Sequence, residues 1–553
     1  MDKYSRELTE LLEKLHSILS AEREYVKRMQ KKDPFECDVI AVKKGYAVLK
    51  TIKRLEEGTF LGYIEGDDVK ELGYVVESAK YLVVKLLEPF DTKERIKLVE
   101  MENLLSYDVQ LAILEMFMEH GELPRVIDAS DAEDFEEGAT KAIEDLDEFQ
   151  TCAARAALSL GDNELMLVVG PPGTGKTRFI SRTARLAAET KRVLITSHTN
   201  RAVDNAIAGL PDSIAVRVGN PRKLSSEVMK HSVELKAEEK LEEINATTPE
   251  ELAEVAALRA RQKEREIMEI LNSARIVGST LIKCATNPML DQTFDTVFID
   301  ESSQALISAA MIAMDMGKRF VIVGDPYQLP PVLRQFRGDS SKFSAFTFFY
   351  HLNPSAFWLR RHYRSNSEII DFAARFVYGG RIEAADVCRN VKLNVSVDVG
   401  EDPILDPEKP LVFVSVNGKE DGKGSKSNRA EAVVAADICQ RLIEAAVSEK
   451  DIGIITPYVR QKEVLIDMLP VEVNTVDAFQ GREKDIIIFS TTATSDLSFA
   501  CERRRFNVAL TRARKKFIAL CNEKSFLIPK NRRTLLYYLF RYSKERGSFI
   551  QYR

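Results

Sequence analysis

The sequence predicts an α/β fold with two parallel-sheet lobes and a smaller accessory part ahead of them. Short apolar runs alternate with helix-prone stretches twice, between residues 165 and 323 and again between 411 and 521. The first alternation holds GPPGTGKT at 170–177, where a strand gives way to a helix. Residues 38–87 instead hold β-rich runs with no helix between them, which predicts a small antiparallel barrel.

The totals narrow the setting. With 553 residues, 45% of them hydrophobic, the chain can bury several cores. Its 79 basic and 85 acidic side chains leave a net charge of −6, so a nucleic-acid surface would have to be a local channel. Seven cysteines without a C-x-x-C pair favour a reducing compartment and argue against a zinc ribbon or iron–sulfur cluster. The N-terminus is charged, and no apolar run approaches the length of a membrane span. The expectation is a soluble, cytoplasmic protein with no membrane partner.

At the start, Leu11, Leu12, Leu15, Ile18, Leu19 and Val26 recur at helical spacing, predicting an amphipathic helix over 8–30. The barrel runs follow, and 94–119 reads as a second helix. A barrel between two helices reads equally as a nucleic-acid-binding module or a packing domain. The acidic stretch 128–148 reads as a solvated linker and helix entry. Gln150, just beyond it, has the donor and acceptor that would read the edge of adenine.

The loop itself, Gly170, Pro171, Pro172, Gly173, Thr174, Gly175, Lys176 and Thr177, has the spacing and context of a phosphate cradle. Its glycines let successive N–H groups face a polyphosphate, and the helix that follows adds partial positive charge. Lys176 would reach the β- and γ-phosphates, and Thr177 would ligate Mg²⁺.

Downstream, a strand near 192–196 leads into SHTNRAVDN at 197–205. Small hydroxyls and amides there lie where open α/β sheets bind ligands, although an ordinary helix cap has the same composition. Residues 221–273 become charged and helix-prone, reading as a helical hairpin broken near 247–249. This insertion is either a solvated pair or a finger over a strand-binding channel.

The sheet resumes at 275–279 and 296–299, ending in Asp300 and Glu301. Adjacent carboxylates at a strand end ask for a cation. Asp300 fits a Mg²⁺ partner, and Glu301 fits the group that orients and deprotonates an attacking water. After the strand at 320–323, GDPYQLPP places Gln328 to sense the γ-phosphate.

The second alternation, with runs at 411–416, 452–456, 485–492 and 517–521, lacks a phosphate loop of its own. Its loops carry LRRHYR, ITPY, TVDAFQGREKD and RRRFNVALTRARKK. Arg364 and Arg512 are the candidate arginine fingers. Tyr458 is placed to stack on adenine and Glu483 to hold ribose hydroxyls, while 503–505 reads as a solvated or phosphate-binding face. The final basic-aromatic segment, 530–553, either stacks on bases or, the favoured reading, packs an aromatic helix face on the second lobe.

This ordered set resembles the superfamily 1 helicases of the up-frameshift-like group, directly over about residues 146–516. VDAFQGREKD and NVALTRAR are its most specific pieces. By position and pattern, the helix-barrel-helix and 221–273 also resemble that group's stalk, barrel and first-lobe insertion. The resemblance implies two RecA-like P-loop lobes with ATP and Mg²⁺ between them, and single-stranded DNA or RNA across their top. It implies a helicase or translocase that moves 5′ to 3′ and unwinds duplexes. A remodelling translocase or clamp without efficient unwinding is the alternative.

Residue by residue, it implies adenine contact for Gln150 and Tyr458, and phosphate and Mg²⁺ handling for Lys176, Thr177 and Asp300. Glu301 serves the water, Gln328, Arg364 and Arg512 the γ-phosphate, and Glu483 the ribose. Thr199, Asn200 and the 475–480 loop, with Thr475, Asp477 and Gln480, resemble strand-contacting elements. Two positions depart from the pattern: Asp147 stands where Asn often precedes the adenine-reading Gln, and His198 where Pro is common. The expected domains are 1–125 (stalk and barrel), 126–354 (first lobe with its insertion) and 355–553 (second lobe). One chain carries both lobes, so a monomer is expected.

Overall fold

In the computed structural model, described over residues 3–29, 33–66, 68–90, 95–101, 104–129, 143, 145–241, 246, 248–396 and 402–552, a closed barrel and two parallel sheets succeed one another along the chain. The acidic residues 130–142 lie outside the described residues.

The first helix, Lys3–Met29, buries Leu12, Leu15 and Leu19 in the first lobe's core. It pairs with the helix Leu105–His120, whose Leu114 joins the same core. Between them lies a closed antiparallel barrel in the order β1-β2-β5-β4-β3-β6. Its strands are β1 (Phe35–Lys43), β2 (Tyr46–Lys50), β3 (Phe60–Glu65), β4 (Asp68–Ser78), β5 (Leu82–Leu86) and β6 (Arg95–Met101). The expectation of a helix over 94–119 is corrected at its start only, because residues 95–101 are strand and the helix begins at Leu105. RIKLVEM buries Leu98 and Val99, and pairing with both β1 and β3 closes the barrel, leaving no open edge to protect.

The first lobe is an eight-stranded sheet. Its strands are β7 (Arg125–Val126), β8 (Glu164–Val169), β9 (Val193–Ser197), β10 (Ala215–Arg217), β11 (Ile276–Thr280), β12 (Phe294–Asp300), β13 (Gly317–Gly324) and β14 (Phe357–Trp358). The order is β10-β11-β9-β12-β13-β8-β14, with β7 also beside β8, and every pairing is parallel. Near-continuous apolar strands such as ELMLVV and FDTVFID suit a sheet buried on both faces. β14 extends this sheet beyond residue 354, where the sequence suggested the lobes divide.

A short parallel pair, β15 (Arg361–His362) and β16 (Glu383–Ala384), precedes the second lobe. That lobe is a six-stranded parallel sheet in the order β19-β18-β20-β21-β17-β22. Its strands are β17 (Leu411–Ser415), β18 (Ile452–Thr456), β19 (Glu472–Thr475), β20 (Lys484–Ser490), β21 (Ala513–Cys521) and β22 (Phe549–Gln551). The strands β10, β19 and β22 escape sequence reading because three or four residues carry too little periodicity.

The insertion holds the expected pair of helices, Val233–Glu238 packed on Pro249–Ser273, and the second of them is not solvated all round. Thr248 caps a long helix, Pro249–Ser273, through a reciprocal box with Glu251, and Pro249 stands at the first turn. Its Ala253 and Ala257 pack on Ala41, Tyr46, Val48 and Val83 of the barrel. The helix therefore carries the barrel on one face. At the other end of the chain, Leu535–Arg546 packs as favoured from sequence. Leu535, Leu536 and Leu539 are buried, Phe540 lies 5.2 Å from Phe413, and Tyr538 stacks on Phe376 at 5.0 Å. Among the described residues, no helix is long and apolar enough to cross a membrane.

Candidate active site

The phosphate loop leaves β8 at Val169 and enters the helix Lys176–Ala187. Gly173 and Gly175 adopt φ of 74° and 79°, which side-chain-bearing residues resist. Space forbids a side chain as well. A Cβ on Gly173 would strike the His362 ring, and one on Gly175 would lie 2.5 Å from Gln150 Nε2. Lys176 is nearly buried, donates from Nζ to the Gly170 carbonyl (2.8 Å) and stands 3.9 Å from Glu301.

Asp300 ends β12, and Glu301 follows it in a left-handed conformation (φ 52°). Such a backbone is strained for a side-chain-bearing residue and turns Glu301 away from the line of the strand. The Glu301 N–H donates to Asp300 Oδ1 (2.8 Å), and Gln304 Nε2 donates to the Glu301 carboxylate (3.1 Å). Burial and the neighbouring Glu301 push the Asp300 carboxyl up to about 7, against the pull of Lys176. Asp300 has no ion-pair partner among the described residues.

Opposite lie the two arginines. Arg512 is 5% exposed and donates from Nε to the Val508 carbonyl (3.2 Å). Burial, with Arg364 close by, lowers it to about 10, while Glu301 and Glu483 favour its charge. Arg364 Nε pairs with Glu483 Oε2 at 2.6 Å.

The segment that delivers Arg364 belongs to the seam between the lobes. Leu359 N–H donates to the Val169 carbonyl and Tyr363 N–H to the Gly173 carbonyl, both at 2.9 Å. His362, fully buried, completes this contact. It accepts from Ser365 N–H at Nε2 (2.7 Å), so its proton sits on Nδ1 and is donated to the Pro172 carbonyl (2.7 Å). Burial and the neighbouring Arg364 lower its pKa to about 3, which keeps it neutral. Sequence reading assigned it no part, because a lone His inside LRRHYR carries no signal.

At the base end, Gln150 is buried and its amide is engaged. Nε2 donates to the Thr174 carbonyl (2.9 Å), and Oε1 accepts the Asp147 N–H (3.2 Å). Asp147 caps the helix Glu148–Ser159 by accepting Gln150 N–H, a task its carboxylate performs as an Asn would. Its second oxygen accepts the Tyr363 hydroxyl at 2.6 Å. Tyr363 is 38% exposed, and it is the aromatic this corner presents. Tyr458 is turned inward: it is 5% exposed, with its ring 5.3 Å from Phe499. A tyrosine at a strand end can turn inward or outward, and here Phe499 covers it.

Part of this set lines one cleft of about 600 Å³, and Gln150, Asp300, Tyr363 and Glu483 lie outside its lining. Lys176, Thr177, Glu301, Gln328, Arg364 and Arg512 line it, and so do His198, Thr199, Asp477 and Gln480 of the proposed strand surface. Leu19, Glu22 and Tyr107 of the stalk helices reach its far end.

The strand-contact candidates divide. Thr199 is exposed and caps the helix Asn200–Ala208 by accepting Ala202 N–H, so the cap reading and the ligand reading share one residue. Thr475 Oγ1 accepts Ala478 N–H within its loop, and Gln480 Nε2 is buried without a hydrogen-bond partner among the described residues. Asn200 is committed elsewhere. Its Oδ1 accepts from Nη2 of fully buried Arg217 (2.8 Å), which pairs with buried Asp204 at 2.8 Å. Asp204→Ala would leave that guanidinium unpaired and should lower first-lobe stability by about 3–5 kcal/mol in denaturant titration.

Comparison with known proteins follows the same lines. Family models described as AAA domain match residues 145–266 and 247–335, and 341–524. The chain is similar to an uncharacterized ATP-dependent helicase of Methanocaldococcus jannaschii, with 29% identity over 458 residues, 68% of this chain and 68% of that protein. It is 30% identical over 390 residues to the DNA replication ATP-dependent helicase/nuclease of Mus musculus, and 30% identical over 422 residues to the regulator of nonsense transcripts 1 homolog of Drosophila melanogaster. Those matches take 64% and 69% of this chain but only 35% and 34% of the relatives' own length.

Proposed function

The chain belongs to the up-frameshift-like group of superfamily 1 helicases, and from that premise we propose that it is an ATP- and Mg²⁺-dependent helicase moving 5′ to 3′ on single-stranded nucleic acid. The observation that carries this reading is the shared cleft: the hydrolysis residues and the 197–205 and 475–480 loops line one continuous space. A ligand that moves one set of walls therefore moves the other.

Within that space Lys176 exchanges the Gly170 carbonyl for phosphate oxygens, and loop N–H groups cradle the remainder. Glu301 takes the proton of the attacking water, its carboxylate aimed by the left-handed turn and by Gln304. Gln328 orients the γ-phosphate side, while Arg364 and Arg512 neutralise the charge that develops. Glu483, which steadies Arg364, faces the ribose, and Gln150 with Tyr363 borders the base. Thr199, Thr475, Asp477 and Gln480 meet the strand, and Asn200 serves by fixing the helix start.

The donor set fits a magnesium ion. Asp300 is a buried carboxylate with no counter-ion, and Thr177 offers a hydroxyl at the cleft. Phosphate oxygens and water would complete the ion's shell, because among the described residues no group of three or more His, Cys, Asp or Glu could hold a metal ion. When bound, Mg²⁺ would supply charge neutralisation for the phosphates.

Both walls of the site come from one chain, so a monomer suffices. The test is ATPase activity with matched single-stranded DNA and RNA, followed by unwinding of duplexes tailed at either end. Stimulation by single strands and unwinding of 5′-tailed duplexes are expected. Preference for 3′ tails would overturn the polarity, and absence of any stimulation would overturn the helicase reading.

A further inference from the structure

Behind the cleft, a chain of buried hydrogen bonds crosses from one lobe to the other. It begins at Asp325, which follows β13 and is 1% exposed. Its Oδ2 accepts two hydrogen bonds, from Gln328 Nε2 (2.9 Å) and from the Tyr378 hydroxyl (2.8 Å). Tyr378, 2% exposed, comes just after the helix Ser367–Phe376. Its hydroxyl accepts from Asn507 Nδ2 (2.9 Å), which also donates to the Tyr327 carbonyl of the first lobe (2.9 Å). Asn507 is fully buried on the helix Arg503–Leu510, five residues before Arg512.

The polarity of this chain is settled by its chemistry. The Tyr327 carbonyl can only accept, which fixes the Asn507 amide with its nitrogen toward Tyr327 and Tyr378. The phenol, already accepting from that nitrogen, spends its single proton on Asp325. Burial holds the Tyr378 proton in place by raising its pKa well above the ordinary value, and it raises Asp325 as well. The direction is therefore Asn507 to Tyr378 to Asp325, and Asp325 in turn sets the orientation of the Gln328 carboxamide.

Packing alone does not require this arrangement. The Tyr378 ring meets Tyr327 edge to face at 5.3 Å, a contact Phe would make equally well. The hydroxyl instead places a polar group in a dry junction, where it is favourable only while every partner is aligned. Alignment holds only when the helix bearing Asn507, whose C-terminal end leads directly to Arg512, is seated against the first lobe.

We propose that Tyr378 is a positioning residue whose hydroxyl registers Gln328 on the first lobe with Arg512 on the second. The inference rests on the helicase reading of the cleft and deepens it. Gln328 is held in its working orientation when the second lobe is docked and released when it departs, so hydrolysis is tied to lobe closure through one phenolic oxygen.

The test is Tyr378→Phe in the full chain, which keeps the ring and removes the bridge. The kcat of ATP hydrolysis should fall about tenfold, with KM for ATP within about twofold and the melting temperature nearly unchanged. In a Gln328→Ala background the same substitution should cost less than about twofold, because its route runs through Gln328. Unchanged kcat in the single variant, or a full tenfold loss in the Gln328→Ala background, would overturn the proposal. Should Tyr378→Phe prove unstable, Asn507→Ser carries the same cycle, with the same outcomes deciding. The cycle is read on basal hydrolysis as well as with single-stranded DNA. A protein that hydrolyses ATP without responding to nucleic acid would thus refute the helicase reading and still decide the role of Tyr378.

Discussion

Glu301→Gln is expected to slow ATP hydrolysis by about 10²–10⁴-fold while nucleotide binding stays within a few-fold. The substitution keeps the size of the side chain and its acceptor for Gln304 Nε2, so the local fold survives. What it removes is the group that takes a proton from water. Asp300 cannot substitute, because its carboxyl is buried and accepts the Glu301 N–H. Single-turnover hydrolysis, measured beside equilibrium binding of a fluorescent nucleotide, separates the two effects. Turnover within a few-fold of the unaltered protein would remove Glu301 from the role of base.

Arg512→Ala should have a comparable effect by a different route, a loss of about 10³–10⁵-fold in kcat with ATP still bound. The arginine is buried, positioned by the Val508 and Arg482 carbonyls, and faces Glu301 and Glu483. Its charge is therefore preorganised in a site of low dielectric, where neutralising a developing phosphate charge counts most. Arg512→Lys should rescue little, since an ammonium lacks the planar fork that the two carbonyls hold. Weakened ATP binding with unchanged kcat would instead make Arg512 a ground-state binding group. The comparison with Arg364→Ala is informative, because Arg364 rides on the segment hydrogen-bonded to the phosphate loop whereas Arg512 belongs to the second lobe.

Much of this cleft is legible without coordinates because its chemistry is local in sequence. GPPGTGKT states its own backbone requirement, and the Asp300-Glu301 pair is a strand end followed by a turn. Other features are invisible for an equally physical reason. His362 joins Pro172 across 190 positions and Tyr363 joins Asp147 across 216, so no window of sequence holds both partners. The assignment of an adenine-facing aromatic to Tyr458 shows the same limit. Its strand end was correctly located, but Phe499 packs over its ring and turns it inward. Only the start of the helix expected over 94–119 became β6, because two neighbouring strands offered unpaired edges, an influence that lies outside the segment; the rest is the helix Leu105–His120.

The sequence by itself determined the two sheets, the phosphate loop, the carboxylate pair and the arginine-bearing motifs. Each depends on periodicity or on residue types a few positions apart, and local backbone physics suffices to read them. Only the tertiary structure decided that Arg364 sits at the seam and that the insertion helix carries the barrel. It alone joined Asp325, Tyr378 and Asn507 into a buried bridge between the lobes. Those features rest on contacts between distant segments, whose worth comes from excluding water at a junction that exists only once both lobes have folded.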